Sequence, residues 1–152
     1  MQQAHCWRIV WDESLSVGIP EVDEDHRRFI GLINDLNQAI VARAEKAEVG
    51  RRLFALIADA KAHFDHEERL FREHDYPEAE RHAEIHSNLL AQLGPAMVIF
   101  ESSPWSRVWV EKGLLIKDLL VEHLLEEDMR YREFLSEQMN LPDAVRQPAH
   151  SD

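Results

Sequence analysis

Residues 53–71 read LFALIADAKAHFDHEERLF. Leu53, Leu56, Ile57, Ala60, His63, Phe64, Glu67 and Phe71 recur at steps of three and four, the period of one face of an α-helix and not the alternation of a strand. A helix is therefore predicted over about residues 47–74. Its apolar stripe is interrupted by His63 and Glu67, side chains that lose solvation on burial and seldom go inside unless paired or bound to an ion.

The same pattern extends in both directions. Val22, His26, Phe29, Ile33, Leu36 and Ile40 form a stripe over about residues 21–43, and Ala79, His82, His86, Leu89, Leu93, Met97 and Phe100 over about 78–101. Ile116, Leu120, His123, Leu124, Tyr131, Phe134 and Leu135 do so over about 105–139. Breakers stand between the stripes: Gly18 and Pro20, Pro77, and Ser102-Ser103-Pro104. Such helices are about 35–50 Å long, and connections this short make neighbours antiparallel. The predicted fold is all-α, an up-down-up-down antiparallel four-helix bundle. One domain is expected over residues 1–139, including a non-helical N-terminal arm, followed by a short tail at 140–152 that Pro142 and Pro148 make a poor helix.

Composition narrows the function. The 152 residues carry 17 Lys plus Arg against 29 Asp plus Glu, a formal charge of −12, which argues against nucleic acid as a partner. No apolar stretch is long enough for a membrane span, and the start lacks the layout of a signal peptide, so a cytoplasmic protein is expected. Cys6, the single cysteine, cannot form an internal disulfide. Nine histidines are the unusual figure, because imidazole adds little charge at neutral pH but ligates metals well.

Four patterns place those histidines on inward stripes: His26 alone, His63-x3-Glu67, His82-x3-His86 and His123-x4-Asp128. Residues four apart lie about 40° apart around a helix and one turn along it, so two side chains can reach one ion. Singly, each pattern has an ordinary structural reading. Jointly, on all four helices, they point to a shared metal site with nitrogen and oxygen ligands, suited to iron, zinc or manganese. The remaining histidines act as internal controls. His66 falls on the polar face with Asp59, Arg69 and Glu73 and is expected to be solvated; His74 is expected to cap a helix end; His5 and His150 lie in the extensions. Glu68 is rotated about 100° off the stripe, so Glu67 is the better ligand candidate.

These segments resemble the hemerythrin family, in particular the single-domain bacterial hemerythrins (bacteriohemerythrins), over roughly residues 11–135. Trp11 with Ser16-Val17-Gly18-Ile19 resembles the family's lead-in, and Asp23-Glu24-Asp25-His26 its first-ligand segment. His63-Phe64-Asp65-His66-Glu67-Glu68 followed by Tyr76-Pro77, then His82-x3-His86, then His123 to Asp128, resemble the rest, in order and at the family's spacings. Two departures stand out: Leu119 where many relatives have tryptophan, and Asp25 in place of a frequent glutamine. Neither is expected to touch a ligand.

The resemblance implies two non-haem iron ions bridged by an oxo or hydroxo group, and reversible dioxygen binding for storage, delivery or scavenging. His82, His86 and His123 would hold one iron, His26 and His63 the other with a position left open, and Glu67 and Asp128 would bridge both. Phe29, Phe64, Leu120 and Leu124 would line a dry dioxygen pocket. One geometric conflict arises. Straight helix geometry would choose Glu127, four residues after His123, whereas the family pattern chooses Asp128, five after it, which requires a local π-type widening. Asp128 and that distortion are therefore expected.

Competing uses of the same irons are an oxidase or peroxidase and an oxygen or redox sensor. Carboxylate-rich di-iron enzymes use Glu-x-x-His pairs, which this sequence lacks, so a binding protein and not an enzyme is expected. Its partners would be dioxygen and an unidentified reductant or oxygen-accepting protein.

Overall fold

In the computed structural model, which describes residues 7–139, α1 begins where Ile19 is extended and Pro20 takes the first helical position, a place that needs no backbone N–H. It spans Pro20–Val41 and ends where Arg43 adopts a left-handed φ of 56°, with Ala44 N–H closing back on Ala39 O at 2.9 Å. The helix α2, Lys46–Glu73, ends in the same way: Asp75 has φ 53° and Tyr76 N–H returns to Phe71 O at 2.9 Å. His74 is its C-terminal cap residue. Both turns use non-glycine residues, and at the first the Arg43 guanidinium lies 4.1 Å from the Trp105 ring, which helps hold it.

The third helix, α3, covers Ala79–Ser102, with Pro95 on its exposed side. The fourth rod is not one regular helix. Ser106 caps α4, Arg107–Glu122, by accepting from Val108 N–H; a π-helical turn, His123–Glu127, follows, and α5, Asp128–Gln138, completes the rod. Helix α1 packs on α2 and α4, and α3 on α2 and α4, so the four rods form a closed antiparallel ring, and no strand occurs among the described residues. The all-α bundle is thus as the stripes predict. Of the expected arm, residues 7–19 are described, non-helical apart from a 3-10 turn at Glu13–Leu15; the tail at 140–152 lies outside the described residues. Buried Asp23 ties the arm to α1 by accepting from Val17 N–H at 2.8 Å and from the Ser16 hydroxyl.

The core has two main apolar clusters, with a small third one, Leu15, Ile30 and Leu124, under the arm. Of the main two, one holds Phe29, Ile33, Leu53, Leu56, Phe100 and Trp109 with their neighbours; the other holds Val22, Phe71, Tyr76, Tyr131 and Leu135. In every helix the predicted histidines and carboxylates fall between members of these two clusters, so they form a polar layer across the bundle. Close approach of α1 and α4, about three helical turns along from that layer, depends on Gly113, whose carbonyl accepts from buried Asn37 at 3.3 Å. A Cβ there would collide with Asn37 Oδ1 and come within 2.9 Å of Ile40 Cδ1. Gly113→Ala is therefore expected to destabilise the protein by about 1–3 kcal/mol despite alanine's better helix propensity. Denaturant unfolding checks this, and an unchanged midpoint would show that the two helices separate freely.

Candidate metal centre

The polar layer is assembled by helix period on three rods and by a deliberate irregularity on the fourth. His63 and Glu67, and His82 and His86, are paired four apart on α2 and α3, while His26 enters from the first half of α1. On the fourth rod, Asp128 N–H bonds to His123 O, five residues back, which is the π-helical closure. The extra residue rotates Asp128 inward to full burial and leaves Glu127 outside, paired with Arg81 at 2.8 Å. The structure thus contains the π widening expected from the spacing.

All seven residues are buried, between 0 % and 4 % exposed, and they converge. His26, His63, Glu67 and Asp128 bring one candidate ligand atom each within 4.8 Å of one another, and so do Glu67, His82, His86, His123 and Asp128. The carboxylate oxygens divide between the two groups. Glu67 Oε2 faces His26 Nε2 at 3.4 Å and His63 Nε2 at 3.3 Å, while its Oε1 faces His86 Nε2 at 3.1 Å and His82 Nε2 at 3.7 Å. Asp128 Oδ2 lies 3.2 Å from His26 Nε2, and its Oδ1 lies 2.9 Å from the Nε2 atoms of both His82 and His123. Each carboxylate therefore offers one oxygen to each group.

Glu67 Oε1, Asp128 Oδ2, His86 Nε2 and both nitrogens of His123 are buried without a hydrogen-bond partner. Such orphaned polar atoms are costly in a protein interior unless something else satisfies them. Charge points the same way. Burial alone would lower the His63 and His82 pKa values, but Glu67 and Asp128, joined at His63 by Asp25, outweigh it and push them up to about 10 and about 9. Burial alone would raise the two carboxylates, yet the surrounding imidazoles hold both below the usual carboxylate range. Two buried anions demand positive charge here, and a pair of cations fits the donor set of five imidazole nitrogens and two carboxylates.

Three outer contacts were not visible in the spacing. Asp25 Oδ2 accepts from His63 Nδ1 at 3.3 Å and from His66 Nδ1 at 2.7 Å, and Arg28 holds its other oxygen at 3.2 Å. These correct two expectations: Asp25 does touch a candidate ligand, and His66 is half-buried and paired, not merely solvated. His63 and His66 hold the Asp25 carboxyl low against the effect of burial. Glu68, off the stripe, accepts from His86 Nδ1 at 2.8 Å. Tyr131, fully buried, donates its hydroxyl to Glu67. A carboxylate on the far nitrogen of an imidazole fixes the ring's tautomer and orientation, which is how the outer contacts of a metal-binding histidine act.

Apolar rings close the layer. Phe64 stacks on His86 with centroids 3.9 Å apart and also lies 6.0 Å from His63 and 5.8 Å from His123; Phe29 lies 6.0 Å from His63. Phe29, Phe64 and Leu120 belong to one apolar cluster, whereas Leu124 packs separately with Leu15 and Ile30 beneath the arm.

Comparison with known proteins gives an independent reading. The sequence profile described as "Hemerythrin HHE cation binding domain" matches residues 17–135. A bacteriohemerythrin of Stenotrophomonas maltophilia is 25% identical over 132 residues, covering 87% of this chain and 84% of that protein. A bacteriohemerythrin of Pseudomonas aeruginosa is 27% identical over 123 residues, 81% of this chain and 78% of its own. A myohemerythrin of Theromyzon tessulatum is 28% identical over 122 residues, 80% and 89% of the two chains. Among solved structures, a hemerythrin point mutant superposes with a TM-score of 0.75 at 22% identity, over 84% of this chain and 97% of that one, so the bundle itself is shared.

The charge balance generates a pH signature. In the metal-free protein His63 and His82 have raised pKa values, so the stability they contribute is complete below about pH 6.5, the unfolded value, and is lost as pH rises through about 9 and 10. Metal must displace those protons, so affinity is expected to rise across the same window. Thermal melts of stripped protein between about pH 6 and pH 10, with divalent-metal titrations alongside, check both trends. A stripped protein that gained stability with pH would refute the pairing.

Proposed function

This chain belongs to the hemerythrin family, and on that premise we propose that it binds dioxygen reversibly at a non-haem centre of two iron ions, for storage, delivery or scavenging. The observation that carries the reading is the division of the carboxylate oxygens, one of each facing either group of histidines. His82, His86 and His123 would hold one ion, His26 and His63 the other, and Glu67 and Asp128 would bridge them. When bound and ferrous, the ions supply the electrons that dioxygen draws on.

The rest is the work of the chain. The His26–His63 side has one histidine fewer, and there the Phe29 ring, with its centroid 6.0 Å from that of His63, would present an apolar face to a small guest. Phe29, Phe64, Leu120 and Leu124 exclude water, which would otherwise promote irreversible oxidation. The Tyr131 hydroxyl, whose pKa burial raises well above 10, stays protonated and steadies Glu67. Asp25 and Glu68 keep the Nε2 atoms of His63 and His86 turned inward. A chain built in this way binds and releases; an unidentified reductant or oxygen-accepting protein would complete its cycle. No helix among the described residues is long and apolar enough to cross a membrane.

Two measurements test the reading. Protein reduced without air and then exposed to it should develop a visible charge-transfer band that disappears on deoxygenation and returns over repeated cycles. A single irreversible change with peroxide release would instead indicate an oxidase, and zinc in place of iron on metal analysis would exclude both. Asp128→Asn is expected to lower bound iron markedly while Glu127→Gln leaves it unchanged, and the reverse pattern would show that the bridging residue is misassigned.

A further inference from the structure

The ligand layer is enclosed, so any ion it takes up must cross the protein wall. Of the seven residues His123 is the most accessible, at 4 %, and it lines a cavity of about 180 Å³ between α3 and the π turn. Ile85, Leu89 and Leu119 form the apolar wall of that cavity, and Glu122, Glu126 and Glu127 form its acidic side. Glu122 and Glu126 are exposed, while Glu127 is partly covered by its pairing with Arg81. Neither nitrogen of His123 makes a hydrogen bond; Nε2 is turned to Asp128 at 2.9 Å, and Nδ1 is buried on another edge of the ring with no partner.

We infer that this cleft is the route by which divalent cations reach the metal centre. Carboxylates at the mouth raise the local cation concentration, and the buried, unpartnered imidazole links the cavity to Asp128 on the other side. A neutral gas gains nothing from such a mouth, so the acidic rim is specific to the ion. The Arg81 charge, held beside Glu127, opposes the approach and sets its rate. The inference rests on the proposed metal centre but not on its binding dioxygen.

Cobalt(II) added to the metal-stripped chain, followed by stopped-flow absorption, measures the uptake rate. The double variant Glu122→Gln with Glu126→Gln is expected to take up cobalt roughly 3- to 10-fold more slowly at low salt. The deficit should shrink as ionic strength rises, and the final stoichiometry should be unchanged. Arg81→Gln should be faster than the unaltered chain. A control pair with the same charge change, Glu101→Gln at the end of α3 with Glu111→Gln near the start of α4, should behave like the unaltered chain. Leu119→Trp, which fills the cavity without touching the rim, should slow both cobalt uptake and the chelator-driven loss of iron from the loaded protein, a reading that needs no stripped material. Equal rates in all variants, or equal slowing by the control pair, would overturn the route. Absence of any cobalt uptake by the unaltered chain would overturn the metal centre itself, whereas normal uptake without a dioxygen response would leave the route standing and remove only the oxygen-binding role.

Discussion

Two carboxylates with no solvent exposure, Glu67 and Asp128, set the terms for the rest of this molecule. The effective cost of burying an ionised carboxylate is several kcal/mol, recovered only if every lone pair has a cationic or hydrogen-bonding partner. No single helix can surround such a group. A helix presents one narrow stripe inward, so partners for four carboxylate oxygens must come from several rods at once. Here α1 supplies His26, α2 His63, α3 His82 and His86, and the fourth rod His123. The closed ring of four rods is thus the arrangement that the two buried anions require, as well as a way to bury leucines.

That polar layer cuts the apolar core in two, and the two halves have become its scaffold. Phe64 stacks on His86 from one side, while Phe71 meets His82 edge-on from the other at 4.9 Å. Tyr131 belongs to the second cluster yet ends in a hydroxyl on Glu67. Close-packed rings leave the imidazoles few rotamers, and Asp25 and Glu68 fix the far nitrogens. Positioning therefore comes from ordinary packing on both faces of the layer, and the donors are held in place before any ion arrives.

The parts legible in the sequence are those that follow a helix period. The stripes through Phe29 and Ile33, through Leu53 and Leu56, and through Leu89 and Leu93 read directly as one core, and the histidines set within them read as its polar layer. Regular geometry failed at one point, the five-residue step from His123 to Asp128, where only a family pattern favoured Asp128 over Glu127. Asp25, Glu68 and Tyr131 were hidden for a different reason. Their contacts cross between helices, from Asp25 on α1 to His63 on α2 and from Glu68 on α2 to His86 on α3, and depend on how two rods are rotated about their own axes. No period along one chain encodes that rotation. His66 was misread because its polar-face position is correct, but the neighbouring rod brings Asp25 to meet it.

The π turn joins the ligand layer to the rim of the cavity beside His123. One additional residue in the turn carries Asp128 to the centre, and the same rotation turns Glu127 out to Arg81 at the α3 seam. A regular helix would put a glutamate where the aspartate now sits, with a side chain one methylene longer in a layer whose atoms already approach to 2.9 Å. It would also remove an acidic residue from the wall of the cavity beside His123. An irregularity of this kind sacrifices regular backbone hydrogen bonding and persists where it serves function. Here it seats a shorter carboxylate between two groups of histidines and keeps a longer one at the rim. The closed interior and the acidic flank at the α3 seam therefore arise from the same local departure from helical geometry.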